Sequence, residues 1–427
     1  MENHPIQRRP IDMIAPTATK VRTILGEFSG RLSAGLSKPA RRFVSEALYG
    51  IMARQSVRLT EIGRSLEETI PLNKTETRLS RNLGRPELRR RLEAAVLGEG
   101  SRRIGKRTLL ILDISDITKP YAKKMECLAR VRDGSTGEIA NGYWLCQVIG
   151  VENESNEITP LYDALYSQRA ADFVSENEEI KTAITKVSAA CGGRGVWVID
   201  RGGDRGELYS PLLAEERPFI IRQKGDRHIL FRASKAETDV LAADCPMVYA
   251  THIVREEQGK EVPCRLDYGF QPVRLPDYPD IPLWLVVVRG LGAQPMMLLT
   301  TLPMRKKRSV LWWVVSAYLT RWRIEETIRF TKQSYELEDI RVMTYERLRN
   351  MVALVNAAAF FTAVVLGTKV KLQILATHLL RAAKRLFGIP DFRYYALADG
   401  IAEVCARSPR RSPASTADPP QLSLALP

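Results

Sequence analysis

Two aspartates in this sequence stand where an isolated charge is costly. Asp113 closes the apolar run Leu109-Leu110-Ile111-Leu112, and Asp200 closes Val196-Trp197-Val198-Ile199. A carboxylate at the end of a buried strand needs a cation beside it or a turn to cap. One such aspartate reads most simply as a cap. Two of them with a third acid on a helix read differently, because a pair of hard divalent cations draws oxygens from several separate elements. The third acid is Glu325, in the stretch from Tyr318 to Lys332. At about 100° per residue, Tyr318, Arg321, Glu325 and Lys332 share a wedge of roughly 60° on one helix face, and Glu326 falls outside it. An aromatic ring, two cations and one acid on a single stripe suit a phosphate backbone approaching a metal-bound carboxylate. The bland reading of the same stripe is a solvated face laced by i, i+4 pairs.

The elements that must position these groups form an α/β pattern. The continuous apolar run before Asp113 predicts a strand buried on both faces. Gly142 to Val151 and Glu157 to Tyr166 predict two further antiparallel strands, with turn residues between them. Glu176 to Ala190 reads as a helix, and Gly192 to Gly195 turn the chain into the strand that ends at Asp200. Three strands, a helix and another strand is the order of a ribonuclease H-like core. Strands at Phe219–Gln223, Met247–Val254, Val262–Tyr268, Leu283–Val288 and Met296–Thr301 predict a β-rich insertion, and helical periodicity returns from Ser309 to Tyr335 and from Tyr345 to Leu366. The expected layout is a helical DNA-binding domain at 1–105, a core at 106–218, a β-rich insertion at 219–305 and the core's signature helix at 306–350. C-terminal helices at 351–407 and a disordered tail at 408–427 complete it.

With 427 residues, 64 Lys and Arg against 49 Asp and Glu, and a net charge of +15, the chain has room for several cores and a field that attracts polyanions. The first 107 residues hold 22 of the basic and 11 of the acidic residues, which points to a basic N-terminal module. There, Lys74 to Leu83 predicts a short helix that offers Lys74, Thr77, Arg78 and Arg81 to a groove while Leu79 and Leu83 pack inward. It reads either as a helix-turn-helix reader or as a basic bundle that reads no sequence. Six scattered cysteines and four dispersed histidines predict neither a zinc site nor a disulfide frame. With no signal-peptide pattern, a cytoplasmic, nucleoid-associated setting is expected. The apolar run Val352 to Leu366 is short for a membrane span and contains Asn356 and Thr362, so a buried helix and no membrane partner are expected.

Tyr318, Arg321, Glu325 and Lys332 match all four positions of the Tyr-x2-Arg-x3-Glu-x6-Lys signature of the insertion sequence 4 family of DDE transposases. The chain resembles that family over about residues 105–350, with Asp113 and Asp200 falling on its two aspartates. The resemblance implies two magnesium ions, which manganese can replace, held by Asp113, Asp200 and Glu325. It also implies DNA contacts from Tyr318, Arg321 and Lys332, binding to inverted-repeat transposon ends and to target DNA, and a homodimer in the synaptic complex. Cut-and-paste transposition is the implied activity. The same metal chemistry would serve a nuclease that does not join strands, and the same fold could survive in a DNA-binding regulator. Asp116 is an alternative first ligand to Asp113, although only Asp113 directly ends the apolar run. The stretch Phe219 to Leu302 lies where the family carries a β-strand insertion. Trp284 within it is either a core aromatic or a stacking residue for a flipped base.

The last residues include Gln421-Leu422-Ser423-Leu424-Ala425-Leu426 after a Pro/Ser/Ala-rich stretch. This resembles the bacterial sliding-clamp-binding peptide, with Gln421 in a polar pocket and Leu422, Leu424 and Leu426 supplying apolar contacts. An inert tail is the other reading.

Overall fold

The computed structural model describes residues 14–153, 157–257, 260–382 and 393–407. Its first part is helical, with α1 (Ile14–Leu32), α2 (Lys38–Arg54), α3 (Leu59–Ser65), α4 (Leu72–Leu83) and α5 (Glu87–Ser101). Pro39 stands in the first turn of α2, where its missing N–H costs nothing, and Gln55 ends that helix in the left-handed conformation. Leu79 and Leu83 of α4 are buried as expected. Helix α1 was not anticipated. It buries Val21, Leu25, Phe28 and Leu32 at helical spacing, and the Phe28 ring stacks on Phe360 at 5.9 Å.

The strands then begin. β1 (Leu109–Thr118), β2 (Ala129–Arg132), β3 (Ile139–Val151) and β4 (Ile158–Tyr166) precede α6 (Glu176–Ala190), β5 (Val196–Ile199), α7 (Gly206–Ala214) and β6 (Phe219–Arg222). Ser175 caps α6 by accepting the Glu178 N–H at 3.2 Å, and three glutamates in its first turn suit the positive end of the helix dipole. β3 runs antiparallel to β1, and β4 antiparallel to β3, whereas β5 runs parallel to β1 and β6 parallel to β5. β1 does not stop at Asp113. It continues to Thr118 because β3 keeps pairing with it that far, while its parallel ladder with β5 ends at Leu112 and Ile199.

The following strands add to the same sheet instead of forming a separate one. After β7 (His228–Phe231), β8 (Ser234–Glu237) and α8 (Thr238–Ala243) come β9 (Tyr249–Glu257), β10 (Lys260–Leu275), β11 (Tyr278–Arg289) and β12 (Met296–Thr300). β12 pairs antiparallel with β6, Leu299 opposite Ile221, so a single 12-stranded mixed sheet runs through the molecule. The five strands expected between Phe219 and Thr301 are all present, joined by the short hairpin β7–β8.

Helices α9 (Arg308–Thr320), α10 (Trp322–Ser334), α11 (Tyr345–Phe360), α12 (Thr368–Ala382) and α13 (Tyr394–Arg407) close the fold. The two faces of the sheet carry different cores. One takes Leu109, Ile111, Val196, Val198 and Ile220 with the helical residues Tyr318, Ile324 and Ile328; the other takes Leu110, Leu112, Trp197, Ile199 and Ile221 with α6 and α7. Helix α11, continued by a π-helical turn at Phe361–Val365, is apolar and long enough to cross a membrane, but most of it is buried inside the fold. It is the central core helix.

Asn350 on α11 fastens the helical N-terminal part to the rest. Its fully buried amide donates to Leu83 O at 2.7 Å and Arg85 O at 2.9 Å, and accepts from Arg89 N at 2.9 Å. Replacing it by leucine strands Leu83 O and Arg89 N–H, each costing about 1–3 kcal/mol when buried and unpaired, while Arg85 O keeps the Leu88 N–H at 3.2 Å. Asn350→Leu is therefore expected to lower stability by at least about 2 kcal/mol in urea unfolding; a parent-like midpoint would show that these groups find other partners.

Candidate active site

Side chains alternate along a strand, so Asp113 shares a face with Leu109 and Ile111, and Asp200 shares one with Val196 and Val198. These are the same face. Because Leu112 pairs with Ile199, Asp113 and Asp200 stand side by side one step beyond the last rung of the ladder. Adjacent strands lie about 4.8 Å apart, which brings two carboxylates together at the end of the β1–β5 pair. Asp200 also caps the 3-10 turn Arg201–Gly203, accepting Gly202 N–H at 2.6 Å, so the cap and the pairing with Asp113 coexist.

The face is covered by α9 and α10, and here the structure departs from a single signature helix. The helix breaks at Arg321. Arg321 N bonds Tyr318 O at 3.0 Å and Ile324 N bonds Arg321 O at 3.1 Å, a tightened i→i+3 pattern that turns α9 into α10. Tyr318 thus belongs to α9, Arg321 to the junction, and Glu325 and Lys332 to α10. The break drops the Arg321 guanidinium between two acids, with Nη2 at 2.5 Å from Glu325 Oε1 and Nη1 at 3.7 Å from Asp113 Oδ2. Asp113, Asp200, Glu325, Arg321 and Tyr318 therefore form one neighbourhood.

Within it, the Asp113 carboxyl is biased toward its neutral form. Burial, then the charge of Asp200, pushes the Asp113 carboxyl up to about 7, against the pull of Arg321. Burial also raises the Tyr318 hydroxyl, with Arg321 and Arg222 drawing it back. Arg222 was missed in the sequence. It follows Ile221, whose partner is Ile199, so Arg222 lies beside Asp200 on the same face. On the other flank Asp113 pairs with Gln147 and Gln147 with Asp163. A polar row thus crosses five adjacent strands in the order Asp163, Gln147, Asp113, Asp200, Arg222.

Lys332 lies elsewhere. Its ammonium pairs with Asp116 at 3.2 Å and Glu338 at 3.0 Å, and Glu338 in turn accepts Thr118 N–H at 3.1 Å. Buried Lys119 donates to Ile340 O at 3.0 Å and to Glu338 O. These contacts clasp the end of α10 to the end of β1. Asp116, three residues past Asp113, points to the opposite face of the pleat and is buried on Gly134 N–H at 3.0 Å and on Lys332. It is not beside Asp200.

In the N-terminal part, Lys74 and Arg81 are exposed on α4 with Thr77, but Arg78 is not free for a groove. Its guanidinium is held by Glu68 at 2.9 Å and by Glu46. Trp284 is half-buried and packs against the core. The tail residues Gln421, Leu422, Leu424 and Leu426 lie outside the described residues.

Among the described residues, no three acid, histidine or cysteine side chains close into a finished metal cage; Arg321 stands between Asp113 and Glu325 instead. The donor set nonetheless fits a hard divalent cation. Three carboxylates share the neighbourhood with Arg321 and Arg222, the acids at its centre repel one another, and every donor is an oxygen. A raised carboxylate pKa has a definite consequence for stability. Asp113 holds its proton in the folded state up to about pH 7, so its stabilising contribution is complete below the unfolded carboxylate range and is lost as pH rises through 7. With a chelator present, Asp113→Asn is expected to unfold at higher temperature than the parent at pH 8, and the gap to shrink toward pH 5. A gap constant with pH in calorimetric melts would mean that Asp113 ionises normally.

No family model matches the chain, and no curated protein matches it. Among solved structures, the cryo-EM structure of a piggyBac transposase synaptic complex with hairpin DNA is similar, with a TM-score of 0.44 and 13% identity over 96% of this chain and 87% of that one. A likeness of that degree settles neither family nor activity.

Proposed function

We propose that this protein is a DNA transposase of the insertion sequence 4 kind, cutting and rejoining phosphodiester bonds at transposon ends on a ribonuclease H-like core. The observation that carries the reading is the register Leu112 to Ile199, which sets Asp113 and Asp200 side by side beneath the helix that bears Glu325. The directions of β4, β3, β1, β5 and β6 support such a core, since three antiparallel strands are followed by two parallel to the first.

Asp113, Asp200 and Glu325 would hold the metal. Two magnesium ions would supply an activated water or 3′-hydroxyl and neutralise the leaving oxygen. The chain's own residues do the rest. Arg321 bridges Asp113 and Glu325 and fills the space between them until a phosphate competes for its guanidinium, a better bidentate partner than one carboxylate oxygen. Arg222 and Tyr318, beside Asp200, would hold a non-bridging oxygen and fix the scissile bond in line. Lys332 keeps α10 docked on β1 through Asp116 and Glu338, which sets the height of Glu325 over the acidic pair. An arrangement of this kind positions DNA without reading its sequence.

Two outcomes test the reading. Glu325→Gln is expected to abolish cleavage and strand transfer on DNA carrying the element's ends while end binding in gel-shift assays survives; undiminished cleavage removes Glu325 from the site. In protein without DNA, Arg321→Gln is expected to tighten manganese binding by about tenfold in calorimetry, because it removes a cation within a few ångströms of two ligands. Unchanged affinity would show that Arg321 does not guard the carboxylates.

A further inference from the structure

Beyond the end of β1 lies a second charged feature that the acidic site does not use. Lys123, Arg130 and Arg169 line an open hollow of about 390 Å³ together with Met125, Cys127, Leu128 and Asn141, and no carboxylate lines it. The three cations are exposed, and neutral groups shape the walls that carry them. Asn141 donates to Ala122 O at 3.0 Å, which fixes the loop that presents Lys123, and accepts from Arg130 at 3.1 Å. Arg130 also donates to Ile139 O at 3.0 Å. Ser167 accepts Arg169 N–H at 3.1 Å while its hydroxyl grips Cys127 O, tying the two walls together. Glu126, the acid within that loop, spends its carboxylate on Tyr345 N–H at 2.8 Å. Three positive groups on one hollow whose lining holds no carboxylate repel one another, and an anion relieves the cost.

The surroundings favour an extended polyanion over a small one. The hollow opens along β2, an edge strand of the sheet, where Arg130 and Arg132 both face outward. Lys124 extends the basic run, and Tyr121 beside it is 94% exposed, a large ring with no packing role.

We infer that this hollow is a backbone-binding site for duplex DNA, with Lys123, Arg130 and Arg169 on successive phosphates and Tyr121 against the sugar edge. The inference rests on the nucleic-acid reading above and places a second contact on the same DNA. Thr118 lies five residue steps along β1 from Asp113, and Thr118 and Ala129 both pair with Gly142 on β3. At about 3.4 Å per strand residue the hollow lies roughly 20 Å from the acidic pair. Along a duplex that is about six base pairs.

The test compares salt titrations of binding to a mixed-sequence 40-base-pair duplex by the parent and by Lys123→Gln/Arg130→Gln/Arg169→Gln. Each phosphate contact contributes about 0.9 to the slope of log K against log salt, so the triple variant is expected to lose about 2 to 3 units of slope while melting like the parent. The exposed trio Arg102, Arg103 and Lys106 serves as the control, replaced by glutamine in the same way. An unchanged slope in the hollow variant, or an equal loss in the control, overturns the site. So does saturable binding of inorganic phosphate to the hollow with the DNA slope intact, which would assign it to a small anion. Glu325→Gln reads the catalytic proposal separately: loss of the hollow leaves that result untouched, and intact cleavage by Glu325→Gln leaves the slope measurement valid.

Discussion

Everything in the central site depends on placing two carboxylates next to each other at the end of a parallel ladder. The β1–β5 pairing stops at Leu112 and Ile199, and the next residue on each strand is an aspartate facing the same way. Burial first, and the charge of Asp200 second, raise the proton affinity of Asp113. The neighbouring elements answer that cost. Arg321 enters from a break between two helices, and Arg222 flanks the pair from β6.

The resulting charge balance makes the site responsive. A guanidinium that bridges Asp113 and Glu325 stabilises the acids while they have no other cation, yet it is also the group best shaped to receive a phosphate. Under the proposed function, one side chain would serve the resting protein and the DNA-bound one in turn. Lys332 has the opposite character, because two carboxylates and the network around Thr118 and Lys119 commit it to holding α10 in place.

Much of this was legible in the sequence where the signal is local. Strands ending at Asp113 and Asp200 announce themselves as apolar runs, and Asn153 and Gly192 to Gly195 mark the turns. The helix carrying Glu325 has clear periodicity, but its break at Arg321 has no glycine or proline to betray it, and tertiary contacts decide it. Arg222 was invisible for a different reason: its strand was recognised, but its place beside Asp200 depends on the β5–β6 register, which is non-local. The pairing of Lys332 with Asp116 is equally long-range. Helix α1 contains Pro16, Gly26 and Gly30, all weak helix formers, and packing of Phe28 on α11 overrides them. Arg78 looked free on α4 because nothing local reveals that Glu46 and Glu68 converge on it.

The joining of β6 to β12 also bears on how the chain is made. Synthesis delivers residues in order, so β6 emerges with one edge bare and waits for β12, which arrives only after β7 through β11 have been added. During that interval the growing protein exposes an unpaired apolar ladder of Phe219, Ile220 and Ile221. A nascent chain stopped in this window carries both aspartates but lacks Glu325 and Arg321. Premature release would therefore yield a sticky fragment with an incomplete acidic cluster.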